Sequence, residues 1–260
     1  TGEEYTLEQY KSEVTTLSWS FDARYLATGT DRMIHVWDLE TQELVQSINT
    51  GNYIYALDWG KESHLLASGS YRGMINLWSA KSGDNVLEIA GHTNAVKALA
   101  WSPQGEYLAS GSDDRTVRIW DLAARQSRGQ LLPGHNKSVE DLAWSPDGTY
   151  LASGGQDLLV RVWNVTKEEY LGAFTERIRK PLINEKGLEF AVGKHNVSHE
   201  DIVSALSWAP NGERFASASW DKTVAIWDVN TKTQILGIQN PHGWITTVAW
   251  SPQSDQVAFG

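Results

Sequence analysis

The chain has 260 residues, 41% of them hydrophobic, with 13 Trp and no cysteine; this permits a sizeable core and excludes disulfides, thiolate zinc sites and thiol nucleophiles. Its formal net charge of −10 repels phosphate backbones, so nucleic acid is not expected as the main partner. No apolar run approaches the roughly eighteen residues of a membrane span, and the opening TGEEYTLEQYK is polar and acidic where a signal peptide is basic, then apolar. A cysteine-free chain suits the cytoplasm or another reducing compartment. The N-x-S/T matches at Asn136, Asn164 and Asn196 read as chance occurrences of a short pattern.

In chain order, EYTLEQY reads as a strand, and a V-x-x-L-x-W pattern then recurs, with variation, at Val14–Trp19, Ile54–Trp59, Val96–Trp101, Val139–Trp144, Val203–Trp208 and Ile245–Trp250. The closing Trp residues are separated by 40, 42, 43, 64 and 42 positions, so one interval is longer than the rest. Each unit continues through a Leu-Ala-Ser-Gly-Ser-like segment, a tight turn with Asp, and an alternating strand ending at a second Trp: Trp37, Trp78, Trp120, Trp163 or Trp227. Self-similarity at this period marks a repeat architecture. The SPQG, SPDG and APNG turns between short apolar runs fix backbone angles that strands do not use, which predicts four strands per unit. In VKALAW, alternation puts Leu99 and Trp101 on one face and Val96, Ala98 and Ala100 on the other. A sheet with two apolar faces needs a neighbour on each side, and similar sheets stacked around an axis supply one.

This pattern resembles the WD40-repeat family of β-propellers from about residue 5 to 260. Trp37-Asp38, Trp120-Asp121 and Trp227-Asp228 match the signature dipeptide, Trp78-Ser79 and Trp163-Asn164 are variants, and Gly91-His92 and Gly134-His135 match its Gly-His pair. The resemblance implies an all-β fold: a propeller of four-stranded antiparallel blades with five complete WD40-like repeats plus a partial sixth, a fragment of a seven-bladed ring. The expected repeats run about 11–49, 50–90, 91–133, 134–175 and 199–240, with a partial one at 241–260 and an insertion at 176–198. EYTLEQY then falls where a last blade strand belongs.

The family's buried relay of His, Ser, Asp and Trp maps onto His92, Ser110, Asp114 and Trp120; onto His135, Ser153, Asp157 and Trp163; and onto His199, Ser217, Asp221 and Trp227. In such a relay the carboxylate accepts from the imidazole, the hydroxyl passes the chain on, and the indole N–H finds its acceptor. A catalytic triad uses the same residue types. The set occurs three times where a catalyst needs one, and no G-x-S-x-G, P-loop, G-x-G-x-x-G or H-E-x-x-H motif occurs. Neither a catalytic residue, a metal site nor a cofactor is therefore expected. Repeat 2 lacks both relay ends, with Thr50 for the His and Arg72 for the Asp, while repeat 1 has Thr28, Asp31 and Trp37 but Tyr10 in place of the His.

By resemblance, positions flanking the start of the first blade strand, and the residue before the turn Asp, open at one end of the central channel. There the chain carries Tyr53, Tyr55, Tyr71, Lys97, Asp113, Glu140, Gln156, Trp220 and Trp244, beside Ile202 and Thr246. Tyr and Trp dominate binding hot spots. The insertion contains Arg177, Arg179, Lys180, Lys186 and Lys194, and its PLINEKGLEFAV segment has the look of a hairpin. The resulting expectation is a non-catalytic scaffold that binds a protein or peptide on the propeller face, with no membrane or nucleic-acid partner, as part of a larger chain or complex. A sensor domain of a longer signalling protein such as a bacterial NTPase is the alternative, and a hydrolase the third reading.

Overall fold

The computed structural model describes residues 12–61, 64–122, 126–131, 134–184, 187–194, 198–240 and 242–260. The EYTLEQY segment and Tyr10 lie outside the described residues. The chain divides into two compact units at Leu99/Ala100. Among the described residues there is no helix, and so none long and apolar enough to cross a membrane.

Unit 1 contains two four-stranded antiparallel meanders. The first is β1 (Thr16–Trp19), β2 (Tyr25–Gly29), β3 (Met33–Asp38) and β4 (Glu43–Asn49); the second is β5 (Ile54–Trp59), β6 (Leu65–Ser70), β7 (Ile75–Ser79) and β8 (Asn85–Ile89). The unit boundary falls inside β9 (Val96–Trp101), which opens the third sheet with β10 (Tyr107–Ser112), β11 (Val117–Asp121) and β12 (Gln126–Leu131). Unit 2 continues with β13 (Val139–Trp144), β14 (Tyr150–Gly155), β15 (Val160–Asn164) and β16 (Glu169–Ala173). In each of these four sheets the strands pair in chain order, the pattern that short connections and alternating apolar residues favour.

The insertion forms a hairpin, β17 (Glu176–Asn184) and β18 (Gly187–Lys194). It joins the blade of β19 (Val203–Trp208), β20 (Arg214–Ser219), β21 (Thr223–Asp228) and β22 (Thr233–Gln239) through a parallel pairing of Glu176 with Thr233, making a six-stranded sheet. The last two strands, β23 (Val248–Trp250) and β24 (Val257–Phe259), pair with each other. β23 is shorter than the Ile245–Trp250 run suggests.

The turns after β9, β13 and β19 close with the amide of Gly105, Gly148 or Gly212 donating to the carbonyl of Ser102, Ser145 or Ala209, each at 2.8 Å. Pro103, Pro146 and Pro210 preset the preceding φ, and the three glycines occupy the left-handed region at φ 80°, 72° and 73°. Both faces of the sheets are apolar, as VKALAW predicts: Val96, Ala98, Leu99, Ala100 and Trp101 are all buried. Within unit 2 one core joins Ala152, Val160, Val162, Val203, Leu206, Trp208, Phe215 and Trp227; within unit 1 another joins Ala27, Val36, Ile54, Leu57, Trp59 and Trp78. Burial of each such large side chain stabilises by roughly 1.5–3 kcal/mol. Close approach is set by glycine: a Cβ on Gly154 would lie 2.5 Å from Val203 Cγ1, and one on Gly111 2.6 Å from Val139 Cγ1.

Candidate functional site

Two groups of side chains carry recognisable chemistry. The first is the buried relay. In the β19–β22 blade, Trp227 Nε1 donates to Ser217 Oγ at 2.7 Å, His199 Nε2 stands 2.7 Å from the same hydroxyl, and His199 Nδ1 stands 2.9 Å from Asp221 Oδ2. One proton arrangement satisfies every atom: indole to hydroxyl, hydroxyl to Nε2, and Nδ1–H to carboxylate. His199 and Ser217 are 0% exposed. The carboxylate also accepts the backbone N–H groups of Glu200 and Thr223, both at 2.9 Å. Burial pushes the Asp221 carboxyl up, but the hydrogen bonds from His199, Thr223 and Glu200 outweigh it and hold the group well below the usual range.

The β13–β16 blade repeats the arrangement, with His135 Nε2 2.6 Å from Ser153 Oγ and Nδ1 2.7 Å from Asp157 Oδ1. Trp163 is buried with its ring 6.5 Å from that of His135. Here the sequence reading missed a member. Arg161 on β15 is buried, and its Nη1 donates to Asp157 Oδ2 at 2.7 Å. The same Nη1 is 2.9 Å from His135 Nδ1; because that ring nitrogen already donates to Asp157, the carboxylate is the acceptor for both. Burial lowers the His135 pKa, against the pull of Asp157. Burial raises that of Asp157, but His135, the Asn136 amide and Arg161 together bring it down to about 2. The signal for Arg161 was its place four residues after the turn Asp, a position held by Ala225 in the next blade.

In the third sheet, Trp120 Nε1 donates to Ser110 Oγ at 2.8 Å, and Asp114 accepts the Thr116 amide at 3.0 Å and its hydroxyl at 2.6 Å. His92 is buried and belongs to unit 1. Among the described residues of the β5–β8 blade the relay is reduced to the Trp78–Ser68 bond at 2.8 Å, and the single Thr50 hydroxyl proton is shared between the carbonyls of Arg32 and Asn52.

The second group lies on the blade of β5–β8 in unit 1. The Tyr71 amide donates to the Tyr53 carbonyl at 2.9 Å, which fastens the β6–β7 turn beside the start of β5. Three rings gather there: Tyr53 and Tyr55 at 5.4 Å between centroids, Tyr55 and Tyr71 at 6.4 Å. Lys97 Nζ stands 4.1 Å from the Tyr55 ring centre, a cation–π contact. Tyr53 is 42% and Tyr71 60% exposed.

In unit 2 the corresponding backbone bonds run from Gln156 to Ser138 and from Trp220 to Ile202. Gln156 Nε2 donates to Glu140 Oε1 at 2.7 Å, and Ser138 Oγ donates to Asp113 Oδ1 at 2.6 Å, so these polar residues hold one another. Trp220 and Trp244 stack at 5.1 Å with planes 11° apart, and Trp244 is exposed. Among the described residues no group of three or more His, Asp or Glu could hold a metal ion.

Comparison with known proteins places these blades. The family model for "WD domain, G-beta repeat" matches residues 2–38, 42–79, 83–121, 126–164 and 194–228. Among curated proteins, the cell division cycle 20.1 protein of Arabidopsis thaliana, a cofactor of the APC complex, is 37% identical over 98 residues, 35% of this chain and 21% of its own length. The guanine nucleotide-binding protein subunit beta of Nicotiana tabacum is 36% identical over 62 residues, 24% of this chain and 16% of its own length. A periodic tryptophan protein 2 homolog of Neurospora crassa is 38% identical over 61 residues, 24% of this chain and 7% of its own length. The chain thus spans a minor part of each of these relatives. With the family's repeats matched along most of its residues, and with meanders, turns and indole–hydroxyl bonds recurring blade after blade, the chain belongs to the WD40 repeat family of β-propeller proteins.

Proposed function

We propose that this chain is a protein-binding scaffold whose unit 1 docks a peptide on Tyr53, Tyr55, Tyr71 and Lys97. Members of the family serve generally as non-catalytic interaction scaffolds. The observation that carries the reading is three gathered tyrosine rings, two of them exposed, with a lysine ammonium over the ring of Tyr55. Rigid aromatic rings give large contact area at low entropic cost. The ammonium over Tyr55 adds a charge that favours a peptide pairing an apolar or aromatic side chain with a carboxylate. In unit 2, Trp220 and Trp244 offer a second aromatic contact, with Asp113, Glu140 and Gln156 as polar positions of that unit.

The relays are assigned to architecture. A nucleophilic serine needs access to substrate and an oxyanion site, whereas the Ser217 hydroxyl is buried between an indole and an imidazole. The test is a peptide-display selection against the wild-type chain and the Tyr53→Ala/Tyr71→Ala variant. Enriched sequences are expected to combine aromatic and acidic residues and to lose at least about tenfold in affinity for the variant. Equal affinity for both proteins overturns the site. Hydrolase activity abolished by Ser153→Ala at an unchanged melting temperature overturns the scaffold assignment.

A further inference from the structure

We infer that the crevice between the two blades of unit 1, at the end of the sheets opposite Tyr53 and Tyr71, takes one apolar side chain of an acidic linear peptide. Tyr25 opens β2, Trp59 closes β5, and the two rings stack at 6.2 Å with planes 14° apart. Together with Val36, Val45, Ala80, His64 and Lys81 they enclose a cavity of about 240 Å³, more than the roughly 150 Å³ that holds a benzene ring. The cavity lies on the face of the first blade that the second one covers, where Ile54 and Leu57 approach Gly29. It is therefore a feature of a formed joint between two blades. Gln46 of β4 reaches Gly83 in the turn after β7, so the blades meet there as well.

Unit 2 contains the same kind of joint with the opposite charge. Tyr150 and Trp208 stack at 6.0 Å with planes 7° apart, and Val229 and Asn230 follow Trp227-Asp228 as Ala80 and Lys81 follow Trp78-Ser79. The cavity at that joint has Asp147 and Glu213 in its lining and no cation. That of unit 1 has Lys81 and His64 and no carboxylate. The aromatic stack is thus common architecture, and the rim is what differs.

Lys81 and His64 are exposed, and among the described residues neither side chain has a hydrogen-bond or ion-pair partner. The ammonium carries three donors, and the imidazole offers at least one N–H in either protonation state. Behind them the lining is apolar, and Val45 is 46% exposed at its edge. On a chain of net charge −10 such a mouth is a local exception. An apolar floor with these donors at its rim fits a leucine-like or aromatic side chain next to a carboxylate.

This site is separate from the tyrosines of unit 1, so it is tested in the Tyr53→Ala/Tyr71→Ala protein, where binding at those rings does not contribute. The Val45 methyl resonances of the 260-residue chain, assigned with Val45→Ala, are followed while acetyl-Leu-Glu-amide, acetyl-Leu-Gln-amide and acetyl-Leu-Lys-amide are added in separate titrations. The glutamate probe is expected to shift them saturably, with a Kd of about 1 mM. The glutamine probe is expected to bind about threefold more weakly, and the lysine probe more weakly again. Lys81→Glu changes an exposed turn position, so its melting temperature is expected to be unchanged and the order of the three probes to invert. No saturable shift with the glutamate probe, equal affinity for all three, or an unchanged order in Lys81→Glu overturns the proposal.

Discussion

The blade of β5–β8 and the blade of β19–β22 are built from the same meander, yet one has half the polar relay of the other. Both keep the indole–hydroxyl bond, Trp78 to Ser68 at 2.8 Å and Trp227 to Ser217 at 2.7 Å, and both bury their Trp pair. Only the second adds a buried imidazole and a carboxylate. In the first, Thr50 replaces the His and bonds to backbone carbonyls, while Arg72 replaces the Asp and is exposed. The indole–hydroxyl bond and apolar packing therefore define a blade, and the His–Asp half is separable. Both ends are absent together, so neither leaves a buried partner stranded. The turn freed of that duty carries exposed Tyr71.

The comparison is broken most forcefully by removing one relay member where both exist. Asp221→Ala strands a fully buried His199 and two backbone amides, and is expected to cost about 3 kcal/mol in urea unfolding. His199→Thr with Asp221→Arg imitates the simpler blade, and its cost is expected to be smaller than the sum of the single changes, as a double-mutant cycle reads it. Strict additivity would show that the two residues do not act as a unit. Next in size is Arg161→Ala, which leaves Asp157 with His135 and the Asn136 amide but removes its buried cation. A loss of about 2 kcal/mol is expected; an unchanged urea midpoint would mark Arg161 as a bystander.

Acid is expected to weaken the β13–β16 blade differently from the simple one. The folded pKa of His135 lies below its ordinary 6.5, so the unfolded chain takes up that proton first. The stability this residue contributes is full above pH 6.5 and is lost as pH falls from there through the folded value. Asp157, brought from 3.8 to about 2, keeps its contribution above pH 3.8 and loses it between there and about 2. The urea midpoint is therefore expected to drop from pH 7.5 to pH 5, and to drop less in His135→Gln, whose side chain does not titrate. An identical drop in both proteins would remove the relay from the explanation.

Much of this molecule was legible in its sequence because the repeat is local. Strand order and the Pro–Gly turns follow from spacing and alternation within each unit, the hairpin in the insertion from its PLINEKGLEFAV segment, and the relays around His135 and His199 from the resemblance to the family. What escaped is set by neighbours distant in the chain. The V-x-x-L-x-W pattern in 14–19 is indistinguishable from its other copies, since alternation marks a face as apolar without saying whether anything covers it. The parallel joint of Glu176 to Thr233 spans residues far apart in sequence, and no periodicity encodes it. Arg161 carries no motif in the sequence that marks it as a relay member. Its buried partner is Asp157, on the turn before its own strand.

The smallest expected effect sharpens the comparison in the opposite direction, by building a relay where none exists. Thr50→His with Arg72→Asp would place an imidazole beside Ser68 and a carboxylate at the β6–β7 turn. That turn already has the needed backbone: Gly73 sits at φ 78°, where the relay blades have Leu158 at 68° and Lys222 at 70°. The gain is two charge-assisted or neutral hydrogen bonds; the loss is the one hydroxyl hydrogen bond that Thr50 shares between the carbonyls of Arg32 and Asn52. A net stabilisation of about 1 kcal/mol is expected, with a new dependence on pH below about 6.5, the ordinary His value. Thr50→His alone should gain nothing, because the ring then has a hydroxyl partner but no carboxylate. Equal stability of the single and double variants would mean that the blade's packing, and not its missing partners, keeps the relay out.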